Sequence, residues 1–183
     1  MQVGLFNKEA EVPVGGTTLG LGIHGKTYEI TLGGAEIRYV HIVVDLKGNY
    51  DRECGKVIEP KFGGKSRRKM LNFTGAELAF AKMFNIYMDF GRRFRSYDVV
   101  LPDGRTVDVK HTDQDQGRLV ASLETSRRQI PDLFALMVGE FPTFEFRGGI
   151  PGKIFIQEGN IKDLGHGPCY VVDQNRLSFD MDW

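Results

Sequence analysis

Residues 96–112, SYDVVLPDGRTVDVKHT, have the pattern of a β-hairpin. Two stretches in which apolar and polar side chains alternate flank the tripeptide Pro102-Asp103-Gly104. Proline suits the first position of a turn, and glycine readily adopts the left-handed conformation that closes a three-residue loop. Such a loop places Asp98 directly opposite Asp108. A four-residue loop would instead pair Asp98 with Val109 and separate the two carboxylates.

One face of this predicted hairpin carries two aspartates and a lysine. Directly opposed side chains have Cβ atoms about 4.5–5.5 Å apart, and like charges at that distance destabilise the pair. A divalent cation between Asp98 and Asp108 would relieve the repulsion. Lys110 lies two residues beyond Asp108 and therefore points to the same face. The alternative is an ordinary exposed face. The opposite face has the composition of a core: Tyr97, Val99, Val107 and Val109.

A helical pattern from Phe73 to Met88 places a carboxylate among apolar side chains. On a helical wheel, Glu77 is the only charged residue within the apolar arc. A buried carboxylate needs a partner or a metal ion. Two explanations are open. The residues 74–77, TGAE, match a capping box, in which the glutamate reaches back to the first backbone amide. Alternatively, Glu77 belongs to a functional site together with the hairpin.

These motifs resemble the PD-(D/E)xK nuclease superfamily, in which a helix with a glutamate precedes a hairpin with an aspartate and then Asp-x-Lys. The matching residues are Glu77 in TGAELAFAKMF, Asp98 in YDVVLPDG, and Asp108 and Lys110 in VDVKHT. The order of the downstream segments is similar to that of short phage-type members, so the resemblance covers residues 72–172. It implies a restriction-endonuclease-like α/β fold with a central mixed β-sheet flanked by helices.

The resemblance implies a metal-dependent nuclease that hydrolyses DNA phosphodiester bonds, as a phage-type or restriction-like endonuclease. The implied catalytic set is Glu77, Asp98, Asp108 and Lys110, in which the three carboxylates bind Mg²⁺ and Mn²⁺ can substitute. This reaction needs a hard, oxygen-liganded cation and a positioned water, which Lys110 would orient. The alternative is a non-catalytic module on the same fold that binds nucleic acid or protein, as an inhibitor or a structural subunit.

A charged stretch, residues 47–70, precedes the predicted helix. One interpretation is a solvated loop, and the other is a basic arm that contacts phosphates. In the second interpretation the nucleic-acid-binding residues are Lys65, Arg67, Arg68 and Lys69. Further upstream, residues 27–32 alternate as a strand does. Residues 35–46 fit either a strand or a helix, and their position after two glycines favours a helix.

Shorter segments after the hairpin complete the predicted fold. Residues 118–122, 133–138 and 169–172 have the pattern of strands, and the continuous apolar run LFALMV predicts a buried one. Residues 124–129 predict a helical turn. His111 should point toward the core, because it alternates with Lys110. The chain is predicted to be a single nuclease domain over residues 1–183, with a Gly-rich N-terminal extension over residues 1–60.

Composition narrows the class of protein further. The 24 basic and 24 acidic side chains cancel, so any attraction to nucleic acid has to come from a local patch. Cys54 and Cys169 are the only cysteines and match no zinc-site spacing. No stretch approaches the roughly 18 apolar residues of a membrane span. We therefore expect a cytoplasmic protein without a membrane partner. The resemblance implies that it acts on DNA, in the host cytoplasm if phage-encoded, and a homodimer is allowed.

Overall fold

The structure, a computed structural model, describes residues 19–21, 26–53, 67–86, 88, 97–127 and 129–180. The strands are β1 (Leu19–Leu21), β2 (Lys26–Thr31), β3 (Val99–Val100), β4 (Thr106–Thr112), β5 (Leu119–Ser122), β6 (Leu133–Glu140), β7 (Thr143–Pro151), β8 (Ile161–Asp163) and β9 (Pro168–Val172). Six of them form a mixed sheet in the order β1-β2-β7-β6-β4-β3, and the other three form an antiparallel sheet in the order β5-β9-β8. In the larger sheet β4 and β6 are parallel, and the other neighbours are antiparallel.

The larger sheet has a hydrophobic core on each face. Helices α1 (Gly34–Glu53) and α2 (Arg67–Met83) cover one face, while the smaller sheet and the short helix α3 (Gly152–Phe155) cover the other. β6 contributes alternate side chains to both cores, which explains its continuous apolar run. The predicted mixed sheet with packed helices is confirmed. In the described residues, however, both long helices lie on the same face, and a second sheet covers the other.

The ambiguous segment 35–46 is helical, as favoured, and belongs to α1. Val40 and Val44 lie four residues apart on one helix face and are buried in the core. Because α1 continues to Glu53, the prediction of a loop that begins at residue 47 is wrong. A helix that has been nucleated propagates at little cost, so a polar stretch can continue it. Residues 54–66 of the predicted loop lie outside the described residues.

The start of α2 at Arg67 lies six residues before the predicted start. Its first turn is polar and lacks the apolar periodicity on which the prediction depended. Two ion pairs tie this turn to the rest of the fold: Arg67 binds Asp45 of α1, and Arg68 binds Glu140 at the end of β6. Arg67, Arg68 and Lys69 are therefore helical residues, not parts of a loop.

The early start of α2 excludes the capping box as the explanation for Glu77. Thr74 lies seven residues inside the helix and is buried, whereas an N-cap residue has to precede the first turn. Glu77 is thus a residue of the helix interior, and tertiary contacts have to satisfy its carboxylate.

The end of α2 at Met83 comes five residues before the predicted end. Asn85 adopts a left-handed conformation with φ 50°. The amide of Asn85 donates to the carbonyl of Lys82, and the amide of Ile86 donates to that of Ala81, each at 3.0 Å. This is the Schellman arrangement, with asparagine in the position that glycine usually takes.

The predicted hairpin and its three-residue loop are confirmed. Val99 pairs with Val107, which is the register expected for that loop length. Gly104 has the left-handed φ of 90° that the loop requires. β3 is only two residues long, however, and its ladder ends at Val99. Asp98 therefore lies just beyond the last pair of the ladder, and the predicted cross-strand pair of Asp98 with Asp108 is not part of it.

The predicted segments after the hairpin are also found. Residues 118–122 correspond to β5, residues 133–138 lie in β6, and residues 169–172 lie in β9. A 3₁₀ turn over Leu123–Arg127 takes the place of the helical turn predicted at 124–129. These elements agree with the prediction because each has its apolar pattern within a few consecutive residues.

Candidate active site

Asp98 lies at the edge of the larger sheet, where β3 ends and β4 continues. Its amide donates to the carbonyl of Val107 at 2.9 Å, and its carboxylate accepts the backbone N–H of Val109 at 2.8 Å. The carboxylate thus takes the position beside Val109 that a longer β3 would occupy. A side chain held at this edge can reach groups on both faces of the sheet.

Asp108 and Lys110 lie together on β4, as strand alternation predicted. Val107 and Val109 contribute to the core beneath the helices, so Asp108 and Lys110 point to the other face. Lys110 Nζ is 2.6 Å from Asp108 Oδ1, and the Asp108 side chain is only 15% exposed. This ion pair is partly shielded from solvent, which strengthens its electrostatic interaction.

Glu77 approaches the same region from α2, on the other side of the sheet. Its side chain is 19% exposed, at the margin of the buried helix face. Lys47 of α1 lies beside it, with Lys47 Nζ 3.9 Å from Glu77 Oε2. Lys47 was missed because residues 47–70 were interpreted as a loop. The signal was present, since Lys47 continues the helical spacing of Val40, Val43 and Val44.

The carboxyl group of Asp98 interacts electrostatically with both Glu77 and Asp108. Burial raises the pKa of the Asp98 carboxyl group well above its usual value, and the negative charges of Glu77 and Asp108 raise it further. The hydrogen bond from Val109 and the charge of Lys110 act in the opposite direction but do not cancel the effect. Asp98 thus interacts electrostatically with a residue of α2 and with residues of β4.

The donor chemistry of this cluster fits a hard divalent cation. All three carboxylates offer oxygen, the ligand that Mg²⁺ prefers, and their mutual repulsion favours a cation among them. Within the described residues, no three His, Cys, Asp or Glu side chains are arranged to hold a metal ion by themselves. Mg²⁺ commonly takes one or two carboxylates and completes its shell with water and substrate phosphate. Asp98 and Asp108 fit that limited role, with Glu77 nearby.

The residues predicted to bind nucleic acid lie apart from the carboxylates or outside the described residues. Lys65 lies outside the described residues. Arg67 binds Asp45 and Arg68 binds Glu140, so their charges are already compensated. Glu77 lies ten residues beyond Arg67 on α2, about 15 Å along the helix axis.

His111 points to the helix side of β4, as predicted. Its Nε2 donates to the carbonyl of Gly139 at 2.7 Å, and its ring packs edge-on against Phe73 and Phe144. Burial, the largest influence, lowers the pKa of His111. A neutral, hydrogen-bonded imidazole of this kind has a structural role.

An open groove of about 260 Å³ lies at the opposite end of β4 from Asp108. Acidic side chains dominate its lining: Glu29, Asp113, Asp115 and Glu145. Arg147 forms ion pairs with Asp115 and Glu145 there. So many carboxylates would repel a phosphate backbone, so this groove is a poor location for nucleic acid.

No protein-family model, curated protein or solved structure matches this chain. The resemblance to PD-(D/E)xK nucleases therefore stays a prediction that depends on the motif residues and their arrangement. Among the helices that the structure describes, none is long and apolar enough to cross a membrane.

Proposed function

We propose that this protein is a Mg²⁺-dependent nuclease that hydrolyses DNA phosphodiester bonds, of the phage-type or restriction-like endonuclease class. The observation that carries the proposal is the electrostatic convergence of Glu77, Asp98 and Asp108 at the sheet edge, with Lys110 bound to Asp108. Mn²⁺ is expected to substitute for Mg²⁺, because it accepts the same oxygen ligands.

Charge balance supports a bound cation in this cluster. Among the described residues, Lys47 and Lys110 are the lysines paired with Glu77 and Asp108, and the cluster contains three carboxyl groups. A phosphodiester brings a further negative charge and would be repelled. A divalent cation, when bound, neutralises this charge and polarises the phosphate.

Each residue of the cluster has a distinct task in this proposal. Asp98, fixed by the Val109 amide, and Asp108 would hold the cation. Glu77 would orient a water molecule at the site or add a ligand through water. Lys110 keeps Asp108 in place and presents an ammonium group that can donate to the attacking water or to a phosphate oxygen.

Digestion of supercoiled plasmid and of single-stranded DNA, with Mg²⁺, Mn²⁺ or EDTA, tests the proposal. We expect cutting with either metal and none with EDTA. Asp108→Asn should reduce the rate about 100-fold or more, because loss of a metal-site residue has effects of at least this size. The matched control is Asp103→Asn, which changes an exposed aspartate of the hairpin loop that binds Arg105; it should cut normally.

Two results would count against the proposal. If the wild type leaves every DNA substrate intact with both metals, the protein does not hydrolyse DNA, and the alternative of a binding module on this fold gains support. Its neutral net charge is the observation that favours that alternative. If Asp108→Asn cuts as well as Asp103→Asn, the site is assigned incorrectly.

A further inference from the structure

Two lysine–glutamate pairs join α1 to α2, and they differ in geometry. Lys82 Nζ donates to Glu36 Oε2 at 2.8 Å and to the carbonyl of Thr31 at 3.1 Å, so it ties α2 to both α1 and the end of β2. Lys47 Nζ lies 3.9 Å from Glu77 Oε2, too far for a hydrogen bond between these two atoms. The Lys47 side chain is also more exposed, at 39%. The first pair joins α2 to α1 and β2, and the second places a partly exposed positive charge beside Glu77.

Lysines flank the carboxylate cluster on both faces of the sheet. Lys110 lies beside Asp108 on one face, and Lys47 lies beside Glu77 on the helix face. Asp98 lies between them at the sheet edge and is affected by both of the other carboxylates. A phosphate that approaches Glu77 from the helix side would meet the partly exposed ammonium group of Lys47.

We propose that Lys47 is a phosphate-binding residue of this site and holds the DNA backbone on the helix side of the carboxylates. This inference rests on the proposed function. Lysine is a compact point charge well suited to phosphate, and a partly exposed ion pair contributes little to stability. The protein has no net charge, so binding depends on local cations. Arg67, which was predicted for that task, lies about 15 Å from Glu77 along the axis of α2, whereas Lys47 lies beside Glu77.

The salt dependence of DNA binding tests the role of Lys47. Binding of a short fluorescently labelled duplex is measured by anisotropy over a series of KCl concentrations, in EDTA and in Ca²⁺. Removing one lysine–phosphate interaction reduces the slope of log K against log salt by about 0.9. We expect Lys47→Met to reduce the slope by about this amount and Lys47→Arg to keep the wild-type slope.

Lys82→Met is the matched control, because Lys82 joins the same two helices to a glutamate. It should keep the wild-type slope. The inference is overturned if Lys47→Met also keeps that slope, if Lys82→Met reduces it as much as Lys47→Met does, or if the wild type does not bind DNA. Thermal unfolding of each variant shows whether weaker binding comes from a loss of fold.

Binding and cleavage together separate the two proposals. If the wild type binds with a Lys47-dependent slope but cuts no DNA, the phosphate-binding role of Lys47 is supported and the proposed nuclease activity is refuted. If the wild type cuts DNA but Lys47→Met keeps the full slope, the proposed nuclease activity is supported and the phosphate-binding role of Lys47 is refuted.

Discussion

Asp98 is held in surroundings that oppose its own ionisation. Burial is the largest influence on its raised pKa, followed by the charges of Glu77 and Asp108. Among the described residues, the backbone amide of Val109 and the charge of Lys110 oppose them. Such a residue reduces the stability of the metal-free protein. A cation bound beside it would favour the ionised carboxylate and so remove this loss of stability. The carboxylate of Asp98 therefore both lowers the stability of the metal-free protein and contributes to the proposed function.

Asp98→Asn should raise the thermal unfolding midpoint of the metal-free protein at neutral pH. Because the pKa of Asp98 is higher in the folded state, its favourable contribution is complete below the unfolded pKa and is lost as pH rises through the folded pKa. Asparagine removes the charge and can still accept the N–H of Val109. Unfolding in EDTA over a pH series measures the effect.

The gain from Asp98→Asn should shrink toward acid pH, where the wild-type carboxyl is protonated as well. The same variant should lose about 100-fold or more of its nuclease activity. A variant that is less stable than the wild type at neutral pH would contradict this account of the Asp98 environment.

At the scale of elements, local patterns predicted the type of each segment better than its length. The hairpin was predicted with its register because turn chemistry and alternation lie within seventeen consecutive residues. The start of α2 was predicted incorrectly, because its first turn is polar and is anchored by ion pairs to α1 and β6. Its end depends on the left-handed conformation of Asn85, which is uncommon for a residue other than glycine.

Gly152, at the start of α3, lies where that helix meets the end of β7, and a close approach of the backbone excludes a side chain there. A Cβ atom at this position would lie 2.0 Å from the carbonyl oxygen of Pro131. Gly152→Ala should therefore reduce the free energy of unfolding by about 1–3 kcal/mol, the usual cost of overpacking. Gly159→Ala is the control, because a Cβ at Gly159 meets no atom within 4 Å. Equal urea midpoints for the two variants would contradict this prediction.

At the scale of the whole molecule, the candidate site exists only where several layers meet. Lys47 and Glu77 come from the helices on one face, and Asp108 and Lys110 come from the opposite face of β4. Asp98 connects them because β3 stops early and leaves the edge of β4 open. The site therefore needs the packed fold, and a bound cation should stabilise that fold in return.

Mg²⁺ or Mn²⁺ should raise the thermal unfolding midpoint, and EDTA should reverse the increase. A ligand that binds only the folded state stabilises it by about 2.7 kcal/mol at a concentration one hundred times its dissociation constant. Calorimetry at constant ionic strength measures the shift. Asp108→Asn should abolish it, and Asp103→Asn should keep it. An identical shift in both variants would mean that the metal binds elsewhere.

The sequence by itself determined the hairpin, its register, the buried strand β6 and the pairing of Asp108 with Lys110. Each of these depends on the chemistry of neighbouring residues and on the two-residue period of a strand. It also marked Glu77 as unusual, although it left a capping box open as the explanation.

Only the tertiary structure decided that Glu77 lies inside its helix, that Lys47 stands beside it, and that Arg67 and Arg68 are paired elsewhere. It also decided that a second sheet, together with the short helix α3, covers the far face of the larger sheet. These outcomes depend on interactions between residues far apart in the chain. Such interactions set the limits of polar helices and the partners of charged side chains, and no local pattern contains them.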